Sequence, residues 1–344
     1  MDLLSFFIIC VKVLLVFAGT LLAVLIMVYA ERRVSAFMQG RLGPNRVGPQ
    51  GLLQPIADGI KFLMKEDIIP DGVNKPIYLL APVIMLIPAL MTFAVIPFGS
   101  TITLFDRDII LQVADVNIGI LYILALTSIG VYGIVLAGWA SNSKYTLIGG
   151  LRSSAQLISY ELALGLSVVS IILMSGSLRL NDIVADQQGH LLSWYVFKQP
   201  LAFLIFLIAT YAETNRLPFD LAEAEQELVG GYHTEYSSMK FAMFFMSEYA
   251  NMITAAALTV TLFFGGWDVP LLDEKSLGIW GAMLSVASFI LKMGFFLFLF
   301  IWIRWTFPRF RYDQLMKLGW KVLLPLSLIN IFITGGYLTL AALK

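Results

Sequence analysis

The chain has 344 residues, 59% of them hydrophobic and 13% charged, with a mean hydropathy of +0.83 and a net charge of zero. That composition excludes an ordinary soluble domain and points to a polytopic membrane protein. The balanced charge offers no basic footprint for nucleic acid, so no nucleic-acid partner is expected.

In chain order, eight runs approach the twenty apolar residues that span hydrocarbon as a helix. They cover about 4–29, 78–98, 117–140, 155–175, 194–212, 239–264, 278–303 and 319–342. No basic segment precedes the first run, which is too long for a signal-peptide core, so it is expected to remain as a membrane helix. The first loop opens with "QGRLGPNRVGPQG", too rich in Gly, Pro and Arg to be helical. "PIADGIKFLMK" follows, with Pro55 at a helix start and Ile56, Ile60, Leu63 and Met64 on one face. This predicts an interfacial amphipathic helix over about 55–65, with Asp58 and Lys61 off the apolar stripe. The expected fold is an all-α polytopic membrane protein of about eight transmembrane helices in a single membrane domain.

Basic residues in the loops set the orientation. The odd-numbered loops hold fourteen, including Arg32, Arg33, Arg41, Arg46, Lys61, Lys65, Arg216, Arg304, Arg309 and Arg311. The even-numbered loops hold three, Arg107, Arg179 and Lys275. The odd loops are therefore expected on the cytoplasmic side, with both termini opposite.

The fifth loop, "AETNRLPFDLAEAEQELVGGYHTEY" (212–236), holds six carboxylates between two apolar runs. Within it, Asp220 suits an N-cap, Glu223 completes a capping-box pattern and Gly230 supplies a stop, so capping alone is one reading of these residues. At 100° per residue, Leu221, Ala224, Leu228 and Val229 form an apolar face, with Glu223, Gln226 and Glu227 opposite. Glu225 falls on the apolar side, which suggests partial burial and a raised pKa. Glu213 closes the fifth span, Glu161 lies about two turns inside the fourth, and Glu248 lies about 14 Å along the sixth. Lys292 sits near the middle of the seventh. Ionisable groups at this depth face a protein interior or a wet cavity. A structural ion pair accounts for any one of them. A set of carboxylates running from a loop into the core is better explained as a proton path.

Other chemistry lacks ligands. The single cysteine, Cys10, reads as a small buried hydrophobe in the first span, and His190 and His233 fall in loops on opposite sides. Iron–sulfur or haem ligation needs more than this, so no Fe–S, flavin or haem group is expected on the chain. Neither a GxGxxG nor a Walker loop is present.

Four blocks carry a resemblance. "ERRVSAFMQGRLGPNRVGPQGLLQPIADGIK", "GWASNSKYTLIGGLRSSAQLISYE", the fifth loop and "FPRFRYDQLMKLGWKVLLP" resemble the H-type membrane subunits of proton-pumping NADH:quinone oxidoreductases. That family corresponds to mitochondrial NADH dehydrogenase subunit one. The resemblance runs from about 31 to 325. It implies a membrane subunit at the arm junction of respiratory complex I, partnered by other membrane-arm subunits and by hydrophilic quinone-reducing and Fe–S subunits. Quinone, the substrate, is then expected to enter from lipid along a tunnel that the chain partly walls. The resemblance assigns Glu213, Arg216, Asp220, Glu223, Glu225, Glu227 and Glu248 to the start of a proton path, with Glu161 behind them. It assigns Arg32, Arg41, Asp58, Lys61, Phe245, Tyr249, Arg304 and Arg309 to the quinone tunnel or its mouth. The bacterial inner membrane is the expected location, and the mitochondrial inner membrane is the alternative. Two other functions stay open: the membrane anchor of a related hydrogenase or ferredoxin-linked complex, and a secondary ion transporter. The latter favours internal repeats, which are absent.

Overall fold

The computed structural model describes residues 3–104, 107–221, 228–270 and 278–343. Among these residues, seven helices are long and apolar enough to cross a membrane. In our numbering they are α1 (Leu3–Met38), α3 (Lys75–Met91), α4 (Gly119–Ala140), α5 (Lys144–Ser175), α9 (Ser238–Phe263), α10 (Ile279–Thr306) and α12 (Leu324–Ala342). The remaining apolar run is divided: a single turn, α7 (Tyr195–Lys198), precedes α8 (Pro200–Glu213). Pro200 explains the break, because its ring excludes the residue before it from the helical region. Gln199 accordingly sits at φ −133°, ψ 57°.

Shorter elements complete the chain. Helix α2 (Gln54–Met64) occupies the stretch expected to be amphipathic, with Ile56, Ile60, Leu63 and Met64 exposed. Strands β1 (Gly99–Leu104) and β2 (Arg107–Leu111) form an antiparallel hairpin, and α6 (Leu180–Ala185) follows α5. Helix α11 (Tyr312–Lys317) runs through π-helical turns, Leu318–Leu323, into α12.

Helix α9 is the most enclosed long helix and α1 the least. Without water to drive helix association inside a bilayer, close approach of small residues has to do the work. Gly133 of α4 lies where a Cβ would come within 2.9 Å of Met85 on α3, and Gly149 of α5 where one would come within 2.8 Å of the Tyr232 nitrogen. Among the large side chains, Phe206, Phe263 and Phe289 are fully buried where α8, α9 and α10 meet.

One charged residue of the apolar runs turns out to tie elements together. Lys292 donates to the carbonyls of Phe264, Gly266 and Asp268 at 2.9, 3.0 and 2.7 Å and lies over the Trp194 ring, stapling α10 to the turn after α9. Cys10, expected to be buried, is instead exposed on the outer face of α1.

Candidate functional site

The site begins with the length of α1. The apolar run suggests an end near residue 29, but the helix continues to Met38 and carries Glu31 and Arg32 with it. Glu31 is buried although it lies at the end of an apolar run. Its two oxygens accept from Nη1 of Arg216 at 2.8 and 2.7 Å, Tyr249 donates its hydroxyl at 2.8 Å, and Arg304 forms a further ion pair. Arg216 also pairs through Nε with Glu248, and its guanidinium stacks 4.4 Å from the Tyr249 ring centroid. Two acids and two arginines thus balance at one point, buried except for part of Arg304, drawn from α1, the fifth loop, α9 and α10. Such pairing is what makes buried charge tolerable.

Local packing fixes that loop. Gln156 of α5 donates to the Ala212 carbonyl at 2.8 Å, Asn215 Oδ1 at 3.2 Å and the Phe219 carbonyl at 2.8 Å. Phe219 packs between Tyr160 and Phe310. Asp220 accepts from Arg309 at 2.9 Å, so Asp220 serves the loop's attachment to the segment after α10. Glu223, Glu225 and Glu227, with the short helix expected around them, lie outside the described residues. Beyond them Gly230, the expected stop, sits at φ −155°, and a positive φ of 66° falls on Val229 before it. Leu221 and Leu228 are buried as the apolar face requires, but Val229 is exposed.

Above the charged cluster lies a cavity of about 320 Å³ between α1, α2 and α9. Its walls are mainly apolar, among them Val24, Val28, Phe62, Ala242 and Met246, with Arg32 and Asp58 at one side. A second cavity of about 220 Å³ is lined by Glu31, Arg216, Glu248 and Arg304. The two share Arg32, Phe245 and Tyr249, so these side chains divide the apolar chamber from the polar one. Asp58 does not pair with Lys61, its neighbour off the apolar stripe. It forms an ion pair with Arg32 across the gap between α2 and α1 and accepts from Gln54 Nε2 at 3.1 Å. Lys61 lies over the Phe62 ring instead, 5.4 Å from its centroid.

A third, smaller space continues inward from Glu248. Glu213, Thr214, Asn215, Tyr232, Glu248 and Asn251 line a cavity of about 30 Å³, enough for a water molecule or two between the carboxylates. Glu161, near the middle of a helix that starts eleven residues before its apolar run, accepts from the Ser128 hydroxyl. Lys292 stands apart from this line.

Of the residues singled out by resemblance, the structure gathers Arg32, Asp58, Phe245, Tyr249, Arg216, Glu248 and Arg304 around the apolar and polar cavities. Arg41 donates to Gln39 Oε1 at 2.7 Å on the exposed surface. Neither it, Lys61 nor Arg309 lines those cavities. Sequence reasoning missed Glu31, Gln156 and Asn251. An acid immediately before two arginines at a span's end was the available signal for Glu31. His233 sits against Tyr232, Phe241 and Phe245, and burial pushes its imidazole down to about 4 from 6.5.

Comparison with known proteins matches residues 11–335 to the NADH dehydrogenase family. The chain is 58% identical over 335 residues to an NADH-quinone oxidoreductase H subunit of Geobacter sulfurreducens, covering 94% of this chain and 93% of that relative. It is 54% identical over 342 residues to an H subunit of the same oxidoreductase in Koribacter versatilis, with 96% of each covered. The corresponding protein of Cytophaga hutchinsonii is 50% identical over 330 residues, 94% of this chain and 95% of the relative.

Proposed function

The chain belongs to the NADH dehydrogenase family, and on that premise we propose that, as a membrane subunit of an NADH-quinone oxidoreductase, it walls the path by which quinone leaves the lipid and couples quinone reduction to proton translocation. The observation that carries this is the succession of two chambers. An apolar one between α1, α2 and α9 suits the hydrocarbon tail of a quinone, and it abuts a polar one floored by four paired charges. The walls of the first supply dispersion and apolar burial; Arg32, Asp58 and Tyr249 supply polar contacts at the point where a headgroup passes. The neighbouring hydrophilic subunit reduces the headgroup.

Coupling follows from the charge balance of the second chamber. Glu31, Arg216, Glu248 and Arg304 are held in low dielectric, where a change in one charge is felt strongly by the others. A headgroup entering beside Tyr249 disturbs the Tyr249–Glu31 hydrogen bond and shifts proton affinity at Glu248. The small cavity between Glu248 and Glu213, and the Ser128–Glu161 contact beyond, continue that line inward. The names of the relatives favour this reading over a hydrogenase anchor. We further place the chain in a bacterial inner membrane with both termini on the periplasmic side, in contact with the other membrane-arm and hydrophilic subunits. The distribution of basic residues supports that orientation.

The test narrows the apolar chamber. Ala242 is buried on its wall, and Ala242→Phe fills space without altering any charge. The assembled complex should lose most of its NADH:quinone activity with a long-tailed quinone and less with a short-tailed one. Electron transfer from NADH to a hydrophilic acceptor should be unchanged. Equal activity with both quinones at the wild-type rate would remove quinone from this chamber.

A further inference from the structure

Far from the charged cluster, α1 carries one more cation. Lys12 precedes Arg32 by twenty residues, about 30 Å of helix, which is one hydrocarbon thickness. With Arg32 at one membrane face, Lys12 sits at the other. Side chains of a helix lean toward its N-terminus, so Lys12 reaches outward, away from the bilayer centre. Its ammonium donates to the carbonyls of Ile110 at 2.7 Å and Gln112 at 3.2 Å, at the end of the β1–β2 hairpin. An ammonium has three donors, and both bonds go to neutral oxygens. Among the described residues, no carboxylate forms an ion pair with it.

Immediately beside it lies a groove of about 270 Å³ between α1 and α3. Val13, Val16, Phe17, Ile87, Met91 and Val113 line it, almost wholly apolar. The groove has a direction. By chain position Val13 and Val113 fall nearest Lys12 and its Gln112 contact, and Phe17 and Ile87 fall toward the bilayer centre. A cation with no ion-pair partner among the described residues at the interfacial end and an apolar channel running inward match one amphiphile. We propose that this groove binds an anionic phospholipid, its phosphate meeting the third donor of Lys12 and one acyl chain lying along Val16 and Phe17. The site is independent of the quinone chamber, since the two share no lining residue. Its effect on the fold is local: the lipid completes the contact that Lys12 makes between α1 and the hairpin.

A phosphatidylglycerol carrying a photoreactive group on its acyl chain, added to the assembled complex in detergent, tests this by mapping the cross-linked peptides. Labelling should fall on 13–17 and 87–94. Unlabelled phosphatidylglycerol should displace it at about fivefold lower concentration than phosphatidylcholine, as one juxtamembrane lysine implies. Lys12→Arg should keep the preference, Lys12→Gln should abolish it, and Val16→Trp should remove the labelling. If Lys12→Gln fails to assemble, the lipid competition and Val16→Trp still decide. Equal displacement by the two lipids, or labelling untouched by Val16→Trp, overturns the proposal. So does displacement by glycerol phosphate as effective as by the lipid, since the groove would then contribute nothing.

Discussion

At the scale of single residues, Glu31 governs the site through what its removal exposes. Glu31→Gln leaves Arg216 buried with Glu248 as its only remaining acid in the cluster, and strips Arg304 of its partner there. Uncompensated buried charge typically costs about 3–5 kcal/mol. Quinone reduction by the assembled complex should fall at least about tenfold, with the rate to a hydrophilic acceptor retained. The double variant Glu31→Gln/Arg304→Gln should recover part of the loss, and a double no better than the single would show that charge balance is not the issue. His233 gives a pH signature. Its folded pKa lies below its unfolded one, so the unfolded chain takes up a proton that the folded chain refuses. Its stability contribution is intact above about 6.5 and is lost as pH falls toward about 4, a change on the order of 3 kcal/mol. Melting temperatures of wild type and His233→Gln should converge across that window. Sequence could place Asp58 and Lys61 off the apolar stripe, but it could not pair Asp58 with Arg32, which is brought near only by the packing of α2 on α1.

At the scale of elements, the fifth loop depends on a neutral side chain. Gln156 bonds two backbone carbonyls, which also accept from the Asn215 and Leu221 amides, and Asn215 Oδ1, whose loss of a donor costs about 1–3 kcal/mol. Gln156→Leu keeps the volume and removes the donors. It should lower the melting temperature and speed amide hydrogen exchange in 213–221, with exchange in α12 unchanged; uniform exchange throughout would deny the loop any special dependence on Gln156. Helix packing makes a sharper contrast. Gly149→Ala forces a Cβ against the Tyr232 turn, whereas nothing lies within 4 Å of the Cβ position at Gly165. Gly149→Ala should reduce assembled complex severalfold on a native gel, and Gly165→Ala should leave it unchanged. The length of the apolar runs located the long helices because hydrocarbon demands length. It could not show where they stop in protein. Helix α1 runs nine residues past its apolar run because Glu31 is neutralised by partners, and α5 starts early because its polar N-terminal turns pack against α4.

At the scale of the whole molecule, the orientation proposed from the uneven loop charges, with both termini on the periplasmic side, makes a direct prediction. After Cys10→Ser, Lys65→Cys should react with an impermeant maleimide only in inverted vesicles, and Leu343→Cys only from the periplasmic side of intact cells. Reaction of both from one side would overturn the orientation. Composition made the fold class legible, because it is set by the solvent. The four-element charge cluster was not legible, because each contributor has an innocent local reading: Arg216 as a loop charge, Arg304 as a helix-end charge, Glu31 as a loop acid.

That cluster also constrains how the chain can change over generations. Glu31, Arg216, Glu248 and Arg304 come from segments far apart in sequence, yet each is tolerable only while the others persist. A lineage cannot drift at one of these codons and repair the damage nearby. Spontaneous revertants of a Glu31→Gln strain, selected for respiratory growth, should therefore carry second changes that neutralise Arg216 or Arg304, nearly two hundred or more codons away.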